Sequence, residues 1–457
     1  MKPNQKGSIL PVVFLATTLL QAAASAAQPP DATAHARAAL SAIAAGEFGK
    51  VEADFTSQMQ AALPPGRLAA IWASLQAQAG AYKSCETEPR VVKISDKEMV
   101  ITPCAFERAT IDVQLAFDSS GRISGLVFRP AASAFRPAAG AVSAYTPPAY
   151  ANASAYAESE KTIGSGDWAL PGTLTLPAGA KSVAAVVLVH GSGPNDRDET
   201  IGGNKPFKDL AAGLASRGIA VLRYDKRSRV HSARMAGLTD FTVQQVVIDD
   251  VLEAVKALRS ESGIDPARIF VVGHSLGGML APRIWIADPS IAGVIVLAGA
   301  ARPLEDAIVA QSRYLAAADG TTSAEEQQAI DDAEALAGRV RALQPEAAKS
   351  GQMIGGLPAS YWLDLRSYDP TAAATKVKAP MLILQGGRDY QVTAEEFAKW
   401  KATLGARRDV TFHSYPLLNH LFIAGAGPSL PGEYLVPGHV AEEVVRDIAD
   451  WIQAQRR

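Results

Sequence analysis

The sequence predicts an α/β protein with a mostly parallel sheet and helices on both faces, preceded by a small α+β domain. Three observations carry that expectation. From residue 151 to 457, apolar strand-like runs ("VAAVVLVHG", "IAVLRYDKR", "RIFVVGHS", "IAGVIVLAGA", "PMLILQGG") alternate with amphipathic helical stretches, the pattern of a sheet buried on both faces. From 31 to 130 the order differs: helical patterns first, then alternating runs such as "MVITPCAF" and "ATIDVQLAFD", as in a helix-plus-antiparallel-sheet domain. Between them, residues 131–150 are rich in proline, alanine and glycine without apolar periodicity, which reads as a linker.

The N-terminus reads as an export leader over residues 1–27. Lys2 and Lys6 precede the apolar run Ile9 to Leu20, and small residues follow to Ala27. That run is short for a bilayer span, and cleavage is expected after Ala26 or Ala27; an uncleaved anchor is the alternative. The mature chain is expected to be exported, periplasmic or secreted, with no stable membrane insertion.

In the small domain, "ATAHARAALSAIAAGEFGKVEADF" and "PPGRLAAIWASLQAQAG" supply helices. The Glu47-Phe48-Gly49 turn and Trp72 read as turn and packing residues. Cys85 and Cys104 are the only two cysteines. In an exported chain they are expected to pair, across a hairpin turning at Ser95-Asp96-Lys97. Two thiols without nearby histidines make an incomplete metal shell, so no metal and no cofactor are expected. The formal charge of −2 offers no field for nucleic acid. The basic cluster Lys226-Arg227-Ser228-Arg229 reads as a solvated loop.

In the larger domain, residues 302 to 370 interrupt the strand–helix alternation with a charged helical stretch, expected as a cap. The chemistry centres on Gly273-His274-Ser275-Leu276-Gly277. This is G-x-S-x-G placed between a strand and a helix, the context in which the serine becomes an exposed nucleophile. A serine needs a base, and in such sheets the acid and then the histidine follow it in sequence. His420, in the loop beyond the strand "DVTFHSYP", is the candidate base; His413, inside that strand, and His439, after a Pro-Gly, are the rivals. Asp389, after a Gly-Gly turn, is the candidate acid, with Asp364 and Asp369 as rivals. The oxyanion donors are expected to be the Leu276 N–H and, from "HGSGPNDRDE", the Ser192 N–H with Gly193 next. His190 reads as a residue that holds this loop. Tyr361 and Trp362 in the cap are candidate substrate contacts, with cap packing as their other reading.

The segments "HGSGPNDRDE", "LRYDKR", "GHSLGG", "QGGRDYQV" and "NHLF" together resemble the serine α/β-hydrolases, and within them a bacterial esterase subgroup. The resemblance covers residues 155 to 457 strongly and 31 to 130 weakly. It implies the α/β-hydrolase fold and hydrolysis of small esters, typically with short acyl chains, and it supports Ser275, Asp389 and His420 position by position. The segment "AGAGPSLPGEYLVPG" after His420 departs from the pattern and suggests an extra loop at the rim. A serine peptidase or acylaminoacyl hydrolase would use the same triad, although no β-propeller is present to admit peptides. A non-catalytic binding protein is the alternative outside enzymes. The sequence does not choose an oligomeric state or a role for the small domain.

Overall fold

A computed structural model describes residues 31–86, 89–94, 97–107, 110–130, 145–318 and 320–455. The chain divides into two compact units, 1–144 and 145–457. The expected leader, the Ser95-Asp96 turn and linker residues 131–144 lie outside the described residues.

In the small unit, helices Ala32–Ala44, Phe48–Ala53, Ser57–Ala62 and Arg67–Ala79 precede strands β1 (Tyr82–Cys85), β2 (Arg90–Ile94), β3 (Lys97–Phe106), β4 (Thr110–Phe117) and β5 (Ile123–Pro130). Asp31 and Thr56 start two of the helices by accepting the Thr33 and Met59 N–H groups, which would otherwise lack a partner. The sheet is antiparallel, and β1 and β2 both pair with β3. That register sets Cys85 opposite Cys104, and the two form a disulfide. Trp72 packs among Tyr82, Phe106 and Phe128 in the core.

The larger unit contains β6 (Tyr156–Ile163), β7 (Leu170–Pro177), β8 (Val183–Val189), β9 (Ala220–Tyr224), β10 (Ile264–His274), β11 (Gly293–Leu297), the two-residue β12 (Met353–Ile354) and β13 (Leu357–Pro358), β14 (Met381–Gly386) and β15 (Val410–Tyr415). Eight of these form one sheet in the order β15-β14-β11-β10-β8-β9-β7-β6. Strands β15 to β9 run parallel, and β7 and β6 add antiparallel pairs at one edge. The central strands β11 and β14 are wholly buried, and β8 is buried from Ala184 onward, as the apolar runs require. The sequence reading did not identify β6 and β7. "YAESEKTI" is an edge strand with one neighbour and mostly exposed side chains, so it lacks the apolar signal.

The Pro/Ala-rich stretch ends earlier than its composition suggests. The Tyr145 hydroxyl donates to Asp209 at 2.8 Å and the Tyr150 hydroxyl to the Val440 carbonyl at 2.7 Å, so 145–150 belong to the larger unit. The expected cap contains helices Leu304–Ala317, Ala324–Arg341 and Ala359–Arg366 with the β12–β13 hairpin. It has its own core of Val340, Leu343, Ile354, Ala359 and Trp362.

From β8 the chain crosses to β9 on one side, and β10 then returns to the other side of β8. The loops leaving β8 and β10 therefore diverge, and ligands of open α/β sheets bind at such a switch point, beyond the strands' C-terminal ends.

Candidate active site

Ser275 sits at that switch point, between β10 and the helix Leu276–Ala287, at φ 53° and ψ −116°. A non-glycine residue at positive φ is strained. The strain is held by the Ser275 N–H donating to Leu297 O at 2.9 Å and by the close approach of surrounding backbone. A Cβ on Gly273 would lie 2.2 Å from Gly277 O, and one on Gly277 would lie 2.3 Å from Val189 O. The glycines around Ser275 are thus required by backbone that passes too close for any side chain. Gly191 packs against Ser275: a Cβ there would meet Ser275 Cβ at 3.1 Å.

The structure brings Asp389 and His420 together. His420 Nδ1–H donates to Asp389 Oδ2 at 2.7 Å, and both side chains are buried. Asp389 Oδ1 accepts the Gln391 and Val392 N–H groups at 2.8 and 2.9 Å, and Oδ2 also accepts Gln385 Nε2 at 3.2 Å. The Gly-Gly turn after β14 lets this loop lie on the histidine loop, because a Cβ on Gly386 would meet Asn419 O at 2.5 Å. Asn419 in turn closes the turn around His420 by accepting the Leu421 and Ile423 N–H groups. His274, the neighbour of Ser275, donates from Nε2 to the His420 carbonyl at 3.0 Å, with the two rings 4.6 Å apart.

Every rival residue is engaged elsewhere. His413 pairs with Asp447 and His439 with Asp209. Asp364 pairs with Arg283, and Asp369 caps the helix Pro370–Ala374. Among the described residues no group of three or more His, Cys, Asp or Glu side chains is placed to hold a metal.

The loop after β8 is held by polar and charged side chains. Asn195 Nδ2 donates to Gly191 O and Ser192 O, and Lys226 Nζ donates to Gly191 O at 2.6 Å. Arg197 pairs with Asp225, and Asp198 pairs with Arg223. The two signature segments therefore join residue by residue. This corrects the reading of the basic cluster as a solvated loop: Lys226 is buried and Arg227 pairs with the buried Asp250. Burial pushes the Lys226 ammonium down to about 8 and the Asp250 carboxyl up to about 6. His190, read as holding this loop, is buried too. Its Nε2 donates to Asp196 O at 3.1 Å, and burial pushes the imidazole down to about 4, so it is neutral.

Behind Ser275 lies a pair that sequence reasoning missed. The buried Glu199, itself at φ 51°, accepts the Gly191 N–H at 2.6 Å and places its other oxygen 2.9 Å from His274 Nδ1. Burial opposes charge on both groups, yet each overcomes it. The Glu199 carboxylate raises the His274 imidazole, and the His274 charge lowers the carboxyl. The only sequence signal was an acid in "DRDE" after a glycine-rich turn.

Tyr361 and Trp362 are not displayed to a substrate. Tyr361 is buried against Phe241, and Trp362 is buried in the cap core with its Nε1 donating to Ile354 O. A different aromatic set joins the cap to the site. Tyr314 of the cap stacks on Tyr390 at 5.2 Å, and Tyr390 on Tyr434 at 6.5 Å. Tyr434 belongs to the loop expected at the rim, which Arg388 also fastens by donating to Ala426 O and Gly427 O and pairing with Glu433.

Comparison with known proteins places the chain among relatives. A family described as serine aminopeptidase, S33, matches residues 180–424, and a family of unknown function, DUF3887, matches residues 36–126. Esterase EstD of Thermotoga maritima is 38% identical over 398 residues, covering 87% of this chain and 89% of that protein. Among solved structures, Est1E from Butyrivibrio proteoclasticus is 17% identical with a TM-score of 0.42, over 65% of this chain and 98% of that one. With the family match spanning the loop after β8, the Ser275 turn and the His420 loop, the chain belongs to the serine aminopeptidase S33 family of the α/β-hydrolase fold.

Proposed function

We propose that the protein is a serine esterase that hydrolyses carboxylic esters with short acyl chains through an acyl-enzyme on Ser275. The observation that carries this reading is the buried Asp389–His420 hydrogen bond of 2.7 Å, on a loop tied to His274, the residue preceding Ser275. His420 Nε2 takes the proton of Ser275 Oγ as that oxygen adds to the ester carbonyl. Asp389 fixes the tautomer and stabilises the imidazolium. The oxyanion accepts the N–H groups of Leu276 and Ser192, with Gly193 next; Gly191 N–H is committed to Glu199 and is excluded from that role. Collapse breaks the ester C–O bond, and the leaving alcohol receives the proton from His420. Water then repeats the sequence and releases the acid.

The likeness to an esterase over most of the chain favours esters over the amides suggested by the family's name. A panel of p-nitrophenyl esters of rising acyl length, run beside aminoacyl p-nitroanilides, tests the choice. Esters of two to four carbons should give the highest kcat/KM, and a preference for the anilides would overturn the ester reading. For location, no helix among the described residues is long and apolar enough to cross a membrane. Residues 1–27 are read as an export leader, and the Cys85–Cys104 bridge suits an oxidising compartment. N-terminal sequencing of the mature protein should find Ala27 or Gln28 first.

A further inference from the structure

Glu199 is an acid outside the triad that contacts two elements of the site directly and a third through His274. Its Oε1 accepts the N–H of Gly191, the residue packed against Ser275. Its Oε2 lies 2.9 Å from Nδ1 of His274, the residue before Ser275, off the line of a straight hydrogen bond, so charge holds that contact. His274 then donates from Nε2 to the main-chain carbonyl of His420. One ring nitrogen faces a carboxylate and the other a carbonyl; the carbonyl cannot donate, and the Glu199 carboxyl, held below its ordinary range by the charge on His274, keeps no proton to donate. His274 therefore carries both protons.

Burying such a pair is not itself a gain in stability, because desolvation offsets the attraction. Its value lies in position. Asp389 orients the ring of His420, while the Glu199–His274 pair fixes the backbone that carries the ring and the loop that follows β8. We infer that Glu199 and His274 are positioning residues, a buried ionic pair that locks the loop after β8, the Ser275 turn and the His420 loop in one register before substrate arrives. The inference rests on the assignment of Ser275 and His420 above. Neither residue touches the reacting atoms, so their loss should lower kcat while leaving KM within about threefold; small misplacements of catalytic groups cost on the order of 10- to 100-fold.

The experiment compares Glu199→Met, Glu199→Gln, His274→Ala and Ser275→Ala in the full chain, with kcat, KM and Tm on p-nitrophenyl butyrate. Methionine fills the space but offers only a weak sulfur acceptor and no charge. Glutamine restores the acceptor for Gly191 N–H. The expected result is a 10- to 100-fold fall in kcat for Glu199→Met and only partial recovery by Glu199→Gln, which returns the acceptor for Gly191 N–H but not the charge that faces His274. A pure packing role predicts no difference between these two variants, and that result would overturn the inference. So would a folded Glu199→Met with kcat within twofold of the parent. If Glu199→Met does not fold, His274→Ala cuts the same link from its other end and must show the same fall in kcat at unchanged KM. An active Ser275→Ala would instead remove the triad assignment. An inactive Ser275→Ala beside an unaffected Glu199→Met removes only the positioning role.

Discussion

Replacing Asp389 by asparagine tests the site where its geometry is most restrictive. The carboxylate receives four donors: Gln391 and Val392 N–H at Oδ1, and Gln385 Nε2 and His420 Nδ1 at Oδ2. An amide keeps one oxygen and presents an NH2 in place of the other. The Oδ1 position faces two main-chain N–H groups that cannot turn away, so the oxygen stays there and the NH2 faces His420. Nδ1 must then accept, and the ring proton moves to Nε2, the atom that has to take the serine proton. In a Ser-His-Asp triad that wrong tautomer costs a factor of about 10⁴ in kcat, or about 5 kcal/mol of barrier. The assay is kcat at saturating p-nitrophenyl butyrate, with Tm to establish folding. The control is Asp364→Asn, which breaks a contact with Arg283 at 2.8 Å and should leave kcat within a few-fold. A folded Asp389→Asn that kept more than a tenth of the activity, or an Asp364→Asn that lost more, would refute the reasoning.

Ser275→Ala and His420→Ala should each abolish turnover while His413→Ala and His439→Ala retain it, because those two histidines pair with Asp447 and Asp209; parallel kcat measurements decide. Gly277→Ala places a Cβ 2.3 Å from Val189 O and 2.8 Å from His190 O, so backbone must move; Tm should report a loss of about 1–3 kcal/mol or more, and activity should fall with it. His190 is neutral when folded and titrates at about 4, below the ordinary 6.5. Unfolding therefore takes up a proton between those values, and the stability it contributes is full above pH 6.5 and lost as pH falls toward 4, by about 3 kcal/mol. Urea midpoints across that window should be flatter for His190→Asn, whatever that variant costs at pH 7. Reducing Cys85–Cys104, which are 19 residues apart, should destabilise the small unit by about 3 kcal/mol, and a chain beginning at Tyr145 should still hydrolyse small esters; a folded but inactive shortened chain would show that the small unit helps build the site.

The parts of this protein that were legible from sequence have local causes. The runs that became β8, β10, β11 and β14 are apolar because both faces are covered, and the glycines around Ser275 announce a turn whose neighbours leave no room for a Cβ. What was not legible depends on long-range partners. The edge strand β6 has an exposed face and one neighbour. Lys226 looks solvated until the Gly191 carbonyl is seen to receive it. Glu199 and His274 are 75 residues apart in sequence, and nothing in either local stretch marks them as a pair. Tyr361 and Trp362 look like pocket walls because aromatic residues in a cap suit either role, and only burial decides between them.

The charged signature segments have a purpose that their cost makes visible. Buried ions seldom stabilise a fold more than apolar residues of the same size would, so Lys226, Glu199 and Arg223 are poor choices for stability alone. The loop that begins at His190 has no strand or helix to hold its peptide groups, and it lies against Ser275. Lys226 Nζ and Asn195 Nδ2 both bind Gly191 O. That carbonyl shares one planar, trans peptide unit with the Ser192 N–H, so fixing the oxygen fixes the N–H to point the opposite way. Glu199 holds the preceding peptide by its own N–H. Two successive peptide planes are thus oriented by three side chains, and the second carries the donor proposed for the oxyanion. An apolar residue could fill the same volumes but could not grip a carbonyl or an amide. The charges serve to aim a backbone dipole in advance, which is the arrangement that makes an oxyanion site effective.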